Sequence, residues 1–317
     1  MRDFRHPIGV MSVMVLLAIL QSMGYPFTIL LYMTVLAHVI LVSPLSTAVL
    51  AVVCAHIALA LWAFWWLNVT AVGGHLLLLS SYTLAMAVMA GMVRRFGSLK
   101  AGLESGIIVY AGLGLALASA GYLSIEFWIN QALQAKSIDA VTRGELLHAP
   151  LFQEIIGLYN YGILSLFWLR GVFALLLAYG FSSLRVQKGG FKEIFRHLRL
   201  HGGFAVLLAM LAVLQFYYHP VGVMQSFFVL PVVVLSLFGL IAAHFATQQG
   251  ALSVYGLGTL YFLLLLPHSL GLWLVGFIGL LDAFYNLRCN TQFELRKPGQ
   301  WVQTFGSLRM KRNLIWA

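Results

Sequence analysis

Two long stretches without a charged residue constrain this chain more than any other feature. The first lies between Arg5 and Arg94 and contains 88 residues. The second lies between Arg199 and Asp282 and contains 82 residues. A soluble domain carries charge on about a quarter of its residues, so runs of this length cannot form its surface. A bilayer-spanning helix needs roughly 20 apolar residues, and each run therefore has room for about four helices.

The pattern predicts an all-α, polytopic transmembrane helical bundle of about ten helices. Proline, glycine and polar residues divide the apolar sequence into ten segments, at residues 7–23, 27–42, 45–67, 75–93, 103–122, 161–181, 203–218, 221–245, 251–266 and 269–288. The first two segments and the ninth are short, so a pair of them forming one broken or re-entrant element would lower the number. The sequence thus predicts eight to ten helices.

Composition agrees with a membrane protein, because 61% of the residues are hydrophobic and only 9% are charged. In such a chain the net charge of +10 reflects the loops, and it does not indicate a nucleic-acid partner. Cys54 and Cys289 show no pairing pattern, so they predict neither a disulfide framework nor a metal site. Residues 1–288 are predicted to form the transmembrane domain and residues 289–317 a basic cytoplasmic tail.

Lysine and arginine are distributed unevenly between the two sides of this predicted bundle. Sixteen fall on one side, two on the other, and one, Arg170, inside a helix. Loops rich in these residues face the cytoplasm. Both termini are therefore predicted to be cytoplasmic, and the mixed-charge stretch 124–160 is predicted to lie outside. This orientation is that of a multi-pass protein of the bacterial inner membrane.

A basic stretch with helical periodicity follows the sixth segment. Its apolar positions include Phe191, Ile194 and Phe195, and its basic positions are Arg185, Lys188, Lys192, Arg196 and Arg199. A basic amphipathic helix lies in the membrane interface, where anionic lipid attracts it. The five basic residues are therefore predicted to face lipid headgroups.

Arg170 falls in the middle of the sixth segment, where a charge is most costly. Insertion scales place that cost at about 2.5–3.5 kcal/mol. Two explanations remain open. The guanidinium group either holds an anionic group of a ligand, or it forms a structural ion pair with Asp282 or Glu104.

Asp282 interrupts the last apolar segment near its cytoplasmic end. At 1.5 Å per residue it lies only about 9 Å from Arg288. It could accept a proton or bind a cation, or it could reach cytoplasmic water or pair with a neighbouring arginine. Arg170 and Asp282 are the two predicted substrate-binding residues.

Motifs for enzyme chemistry or metal binding are missing from the sequence. There is no phosphate-binding glycine loop and no H-E-x-x-H zinc motif. Gly180, Ser182 and Ser183 faintly resemble an intramembrane serine-protease motif, but the glycine expected after the serine is absent. The four histidines in or beside apolar segments lack ligand spacing on any one helix; they are His38, His56, His75 and His244. The prediction is a protein without catalytic residues, metal or cofactor.

The pattern Gly279-Leu280-Leu281-Asp282, followed by Arg288, resembles the ending of the YybS-like family of predicted bacterial membrane proteins. The likeness extends to the broken N-terminal apolar pair and to the basic linker at 185–199. That family is similar to the substrate-binding components of energy-coupling-factor vitamin transporters, which implies a small molecule bound within a helical bundle. Those components dock to an ATP-driven module through alanines four apart on the first helix, whereas the first segment here has only Ala18.

These features predict a non-enzymatic membrane protein that binds or transports a small solute. The alternative is a membrane scaffold or assembly factor whose basic cytoplasmic faces recruit lipids or a protein partner. A polar pocket at Arg170 would favour the first function, and a solid bundle with Arg170 in an ion pair would favour the second.

Overall fold

The computed structural model describes residues 7–22, 26–66, 69–124, 126, 129–130, 133, 138–183, 198–218, 220, 222–265, 270–285 and 287. Within these residues the regular structure is helical and no strand occurs. The helices are α1 Pro7–Ser22, α2 Pro26–Val42, α3 Leu45–Trp66, α4 Val69–Phe96, α5 Leu99–Ser119, α6 Ala140–His148, α7 Pro150–Ser183, α8 Gly202–Tyr218, α9 Gln225–Gln248, α10 Val254–Leu265 and α11 Leu270–Tyr285, with a 3₁₀ turn at Gly222–Met224. The predicted all-α class is confirmed for this part of the chain.

Five of these helices are long and apolar enough to cross a membrane, namely α3, α4, α5, α7 and α9. The other apolar helices, α1, α2, α8, α10 and α11, have between 12 and 17 residues. The described part of each of the ten predicted apolar segments lies mainly on a separate helix. The described fold is therefore that of an all-helical membrane protein.

The polar stretch 124–160 contains more helix than a simple outer loop would have. Asp139 begins α6, because its carboxylate accepts hydrogen bonds from the backbone N–H groups of Val141 and Thr142, each at 3.0 Å. Pro150 then opens α7, at the first helical position, which proline favours. With 34 residues α7 is about 51 Å long, so it extends well beyond a hydrocarbon core of roughly 30 Å.

The C-terminal helices are joined by an unusually close backbone contact. The most extensive helix pair is α9 with α11. A methyl group at Gly239 would overlap the carbonyl oxygen of Val275, and one at Gly279 would overlap that of Leu235. Ser236 Oγ lies 2.6 Å from the carbonyl oxygen of Leu272, across the same interface. Small residues at this contact allow the two backbones to touch, as in other membrane helix pairs.

A second group of helices surrounds the middle of α7. Helix α2 packs on both α7 and α4. Helix α5 packs on both α4 and α7. Trp168 and Tyr32 are among the largest fully buried side chains of this group. A glycine on α5 allows α5 to pack closely on α7, since a methyl group at Gly114 would overlap the side chain of Leu164 on α7. The long polar side chain of Arg170 therefore lies among packed helices.

Candidate functional site

Arg170 lies half-buried on α7, about 20 Å along the helix axis from Ser183. Its Nη1 atom donates a hydrogen bond to Tyr82 Oη on α4, at 3.3 Å. Tyr82 is buried, and its ring packs at a tilt on Phe167 with centroids 5.2 Å apart. The guanidinium group is thus held toward the contact of α4 with α7.

Tyr110 on α5 brings a second hydroxyl group to the same place. The residue is only 2% exposed, and its Oη atom has no hydrogen-bond partner in the described part of the chain. Gly171, the residue after Arg170, makes room for it, because a methyl group there would lie 2.6 Å from Tyr110 Oη. A buried hydroxyl without a partner costs free energy, so this atom is available to a ligand or a water.

Tyr159 is a third tyrosine within electrostatic range of the arginine. It precedes Arg170 by about three helical turns and so lies on the same face of α7. Tyr82, Tyr110 and Tyr159 are all close enough to Arg170 to interact electrostatically. We call Arg170 with these three residues the Arg170–tyrosine cluster.

The positive charge of this cluster is not balanced by a described carboxylate. Among the residues that the structure describes, Arg170 forms no ion pair. Glu104, one of the two predicted partners, lies 3.9 Å from Lys100 Nζ and accepts a hydrogen bond from the backbone N–H of His201 at 2.8 Å. Tyrosine hydroxyls can donate or accept, so the cluster offers both a cation and hydrogen-bond donors to an anion.

A small cavity adjoins the cluster between α4, α5 and α7. It has room for about one water molecule. The surface exposed to it is apolar, and the residues that line it are Leu78, Ser81, Tyr82, Tyr110, Leu113, Gly114, Leu117 and Phe167. The hydroxyl groups of Tyr82 and Tyr110 therefore belong to residues that border both the cavity and Arg170.

Four consecutive hydroxyl residues, Ser80 to Thr83, lie in the middle of α4 and were not predicted as site residues from the sequence. Ser80 Oγ lies 3.1 Å from Nε2 of His56 on α3, and Tyr82 is the partner of Arg170 on α7. We call these four residues the hydroxyl quartet. A run of four hydroxyl side chains within an apolar span was the signal that could have identified them.

The remaining two members of the hydroxyl quartet face other neighbours. Thr83 Oγ1 lies 3.1 Å from Tyr32 Oη on α2. Ser81 Oγ donates to the carbonyl oxygen of Leu77 at 2.8 Å and lines the cavity beside Tyr110. Helix α4 is thereby linked by polar contacts to several helices at one level.

Asp282 lies away from the Arg170–tyrosine cluster. It is 1% exposed on α11, a helix that packs mainly on α9 and also contacts α8 and α10. No ion pair joins Asp282 to Arg170 within the described residues. The structure therefore does not assemble the two predicted substrate-binding residues into one ion pair, and their role in binding stays a prediction.

Most of the predicted basic amphipathic helix lies outside the described residues, as do Arg185, Lys188, Lys192 and Arg196. Arg199 is half-buried between the buried residues Leu198 and Leu200, and these three residues are not helical. The predicted tail at 289–317, with Cys289, also lies outside the described part.

Histidines make pairwise contacts in the described residues. Nδ1 of His38 lies 3.2 Å from Ser182 Oγ, and Nε2 of His244 lies 2.6 Å from Tyr261 Oη. No group of three His, Cys, Asp or Glu side chains in the described ranges is arranged to hold a metal ion. The Ser182 hydroxyl also lies 2.7 Å from the carbonyl oxygen of Ala178.

No protein-family model matches the chain, and no curated protein or solved structure is significantly similar to it. The resemblance to the YybS-like family therefore stays a prediction from the C-terminal pattern.

Proposed function

We propose that this protein is a multi-pass protein of the bacterial inner membrane that binds or transports a small solute with an anionic group, without enzymatic activity. The observation that carries the proposal is Arg170, a cation within an apolar helix that has no ion-pair partner among the described carboxylates and lies beside the Tyr110 hydroxyl. Intramembrane charges of this kind mark ligand or ion pathways.

The distribution of basic residues supports the orientation in the membrane. Ten crossings with cytoplasmic termini place sixteen of the nineteen lysines and arginines on the cytoplasmic side. Arg170 then lies near mid-depth, with the tyrosine hydroxyls around it. A solute bound there would be removed from water on both sides.

The chemistry of the Arg170–tyrosine cluster favours a small oxyanion over other ligands. A guanidinium group presents several N–H donors in one plane, which matches the two oxygens of a carboxylate. Tyr110 can add a further donor. In a low-dielectric setting such charge-assisted hydrogen bonds are stronger than in water, and they offset the cost of keeping the cation in the membrane.

Asp282 is the second proposed polar residue, at a separate position on α11. Its burial between packed helices near the end of the chain suits a group that takes up a proton or a cation during transport. Coupling between the two positions would make solute binding depend on cations or on pH.

Native mass spectrometry of small molecules that co-purify with the protein tests the proposal. We expect an anionic molecule bound to the wild-type protein and lost from the Arg170→Leu variant, whose thermal stability stays within a few degrees or increases because an unbalanced cation is removed. Arg95→Gln is the matched control, because it removes an exposed positive charge next to Phe96. Equal occupancy in the wild type and in Arg170→Leu would contradict the proposal.

The second candidate function is a membrane scaffold or assembly factor that recruits lipids or a protein partner. The observation that favours it is the cavity beside Arg170, which has room for only about one water in this conformation. Replacement of Arg185, Lys188, Lys192, Arg196 and Arg199 by glutamine separates the functions. It should weaken binding to anionic vesicles if the scaffold role holds and leave solute occupancy unchanged if the solute role holds.

A further inference from the structure

Helix α6, in the stretch predicted to lie outside the membrane, turns a cation inward. Charged residues of a surface helix normally face water, as Glu145 does here. Arg143 does not follow this rule. The exposed face of the helix carries Val141, Thr142, Glu145 and His148, and the half-buried face carries Arg143, Gly144, Leu146 and Leu147. The inward position of the arginine therefore calls for a physical reason.

Part of the Arg143 guanidinium group is buried and has no acceptor. Its Nε and Nη1 atoms are out of contact with solvent, and neither has a hydrogen-bond partner in the part of the chain that the structure describes. A guanidinium group does not lose its proton in proteins, so it remains a charged donor. Leaving such donors buried and unbonded costs the full desolvation penalty of the group. An acceptor from outside the chain would remove this cost.

The carboxylates of the same region do not balance the charge of Arg143. The stretch 124–160 contains four acidic residues, and all are exposed, namely Glu126, Asp139, Glu145 and Glu154. The carboxylate of Asp139 accepts the backbone N–H groups at the start of α6 instead. Among the described residues no ion pair includes Arg143. Its positive charge is therefore available to an external anion.

The surroundings of Arg143 combine a fixed helix with open space. Helix α6 is held at both ends, because Asp139 caps its first turn and Gln153 Nε2 on α7 donates to the carbonyl oxygen of Leu147 at 2.6 Å. Beside Arg143 the half-buried face is not closely packed, since a methyl group at Gly144 would meet nothing within 4 Å. A small ligand thus has room next to the unpaired cation.

We propose that Arg143 binds an oxyanion, a phosphate or carboxylate group, at an outer site distinct from Arg170. Arginine is suited to these groups because its N–H donors match their oxygens. Arg170 lies 20 residues after Pro150, about 30 Å along α7, so the two arginines occupy different levels. The site goes beyond the proposed function, since it requires neither transport nor Arg170. The oxyanion comes from a free solute or from the phosphate of an outer-leaflet lipid.

Hydrogen–deuterium exchange of α6 in the full-length protein tests this site. The probe is inorganic phosphate, which replaces chloride at constant ionic strength and pH 7 in a neutral detergent. An anion on Arg143 restrains the helix, so exchange over residues 140–148 should slow at least threefold in the wild type. Arg143→Gln should show no such slowing. Glu145→Gln is the matched control, because it removes an exposed charge from the same helix, and it should respond as the wild type does.

Exchange in chloride alone separates a binding role of Arg143 from a structural one. Arg143→Gln removes donors that have no partner among the described residues, so its α6 should exchange no faster than that of the wild type. Faster exchange would show that the arginine stabilises the fold through a bond within the protein, and the proposal would be wrong. An equal phosphate effect in Arg143→Gln and the wild type would also overturn it.

Nanodiscs distinguish the two sources of the oxyanion. If a lipid phosphate is bound, α6 of the wild type should exchange slowly in phosphatidylglycerol nanodiscs without added phosphate, and Arg143→Gln should not. If the ligand is a free oxyanion, slowing should require added phosphate, both there and in galactolipid nanodiscs. Slowing in neither lipid would contradict the site. Arg170→Leu should keep the phosphate effect; its loss would place the anion at Arg170 and overturn this proposal while the proposed function stands.

Discussion

At the scale of single residues, the two buried tyrosines on either side of the cavity should respond oppositely to loss of the hydroxyl group. Tyr82→Phe removes the hydrogen bond to Arg170, so we expect it to destabilise the protein by about 1–2 kcal/mol. Tyr110→Phe removes a hydroxyl without a described partner, so stability should be unchanged or higher. Thermal unfolding in detergent measures both. Equal destabilisation by the two variants would show that Tyr110 has a structural hydrogen bond.

The relation of Arg170 to Asp282 is a second question at this scale. Because no ion pair joins them in the described residues, the effects of Arg170→Leu and Asp282→Asn on stability should add within about 0.5 kcal/mol in the double variant. A buried ion pair would behave differently, since removing either partner alone would destabilise strongly and the double variant would recover much of the loss. Unfolding of the two single variants and the double variant decides between these outcomes, and a clear recovery would contradict the described geometry.

The position of Arg170 could be predicted from the sequence, but its surroundings could not. A charged residue inside an apolar run can be recognised from the sequence alone. Tyr82 and Tyr110 belong to two other helices, and only the packing of α4, α5 and α7 brings them to the arginine. The Tyr110 hydroxyl packs directly against Gly171, and no periodic pattern in the sequence predicts this contact.

At the scale of helices and their contacts, the α9–α11 interface should be intolerant of added volume. Gly239→Ala would place a methyl group on the carbonyl oxygen of Val275, so we expect a loss of about 1–3 kcal/mol or more. Gly91→Ala is the control, because a methyl group on α4 at that position meets nothing within 4 Å. Alanine also favours helix over glycine there, so Gly91→Ala should be neutral or stabilising. Comparable losses in the two variants would contradict the close contact.

The start of α6 should depend on pH through Asp139. Hydrogen bonds from the Thr142 side chain and backbone, and from the Val141 backbone, lower the pKa of this carboxyl below its usual value of 3.8. A lowered folded-state pKa means that the ionised cap stabilises α6 above that value and that this stabilisation is lost as the pH falls through the folded pKa. Hydrogen exchange of α6 should be faster in Asp139→Ala than in the wild type at pH 7. The difference should disappear in strong acid, and its persistence there would contradict the role of the ionised group.

The helices themselves were largely predictable, with one informative exception. Apolar runs determine which parts of a chain enter the membrane, and the described part of each of the ten segments lies mainly on a helix. The sixth segment was predicted to begin at Tyr161, directly after the mixed-charge stretch 124–160. Helical hydrogen bonding does not require lipid, and with Pro150 at its first position the helix begins outside the apolar run.

At the scale of the whole molecule, the orientation can be tested directly. Cysteines introduced one at a time into a Cys54→Ala, Cys289→Ala background should react with an impermeant maleimide from the outside of intact cells at residues 139–145 and not at Asn313. The sixteen-to-two distribution of lysine and arginine is the reason. Strong labelling at position 313, or none across 139–145, would overturn the arrangement.

The hydroxyl quartet has a consequence for how α4 is oriented about its own axis. Lipid tails are as apolar as leucine, so hydrophobic burial gives an apolar helix almost no preferred rotation in a bilayer. Successive residues of a helix point about 100° apart, so Ser80, Ser81, Tyr82 and Thr83 face four directions, toward α3, the cavity, α7 and α2. Turning α4 by one residue would break these contacts together. The hydroxyl groups of Ser80, Tyr82 and Thr83, each bonded to a residue of a different helix, thus set the rotational register of α4.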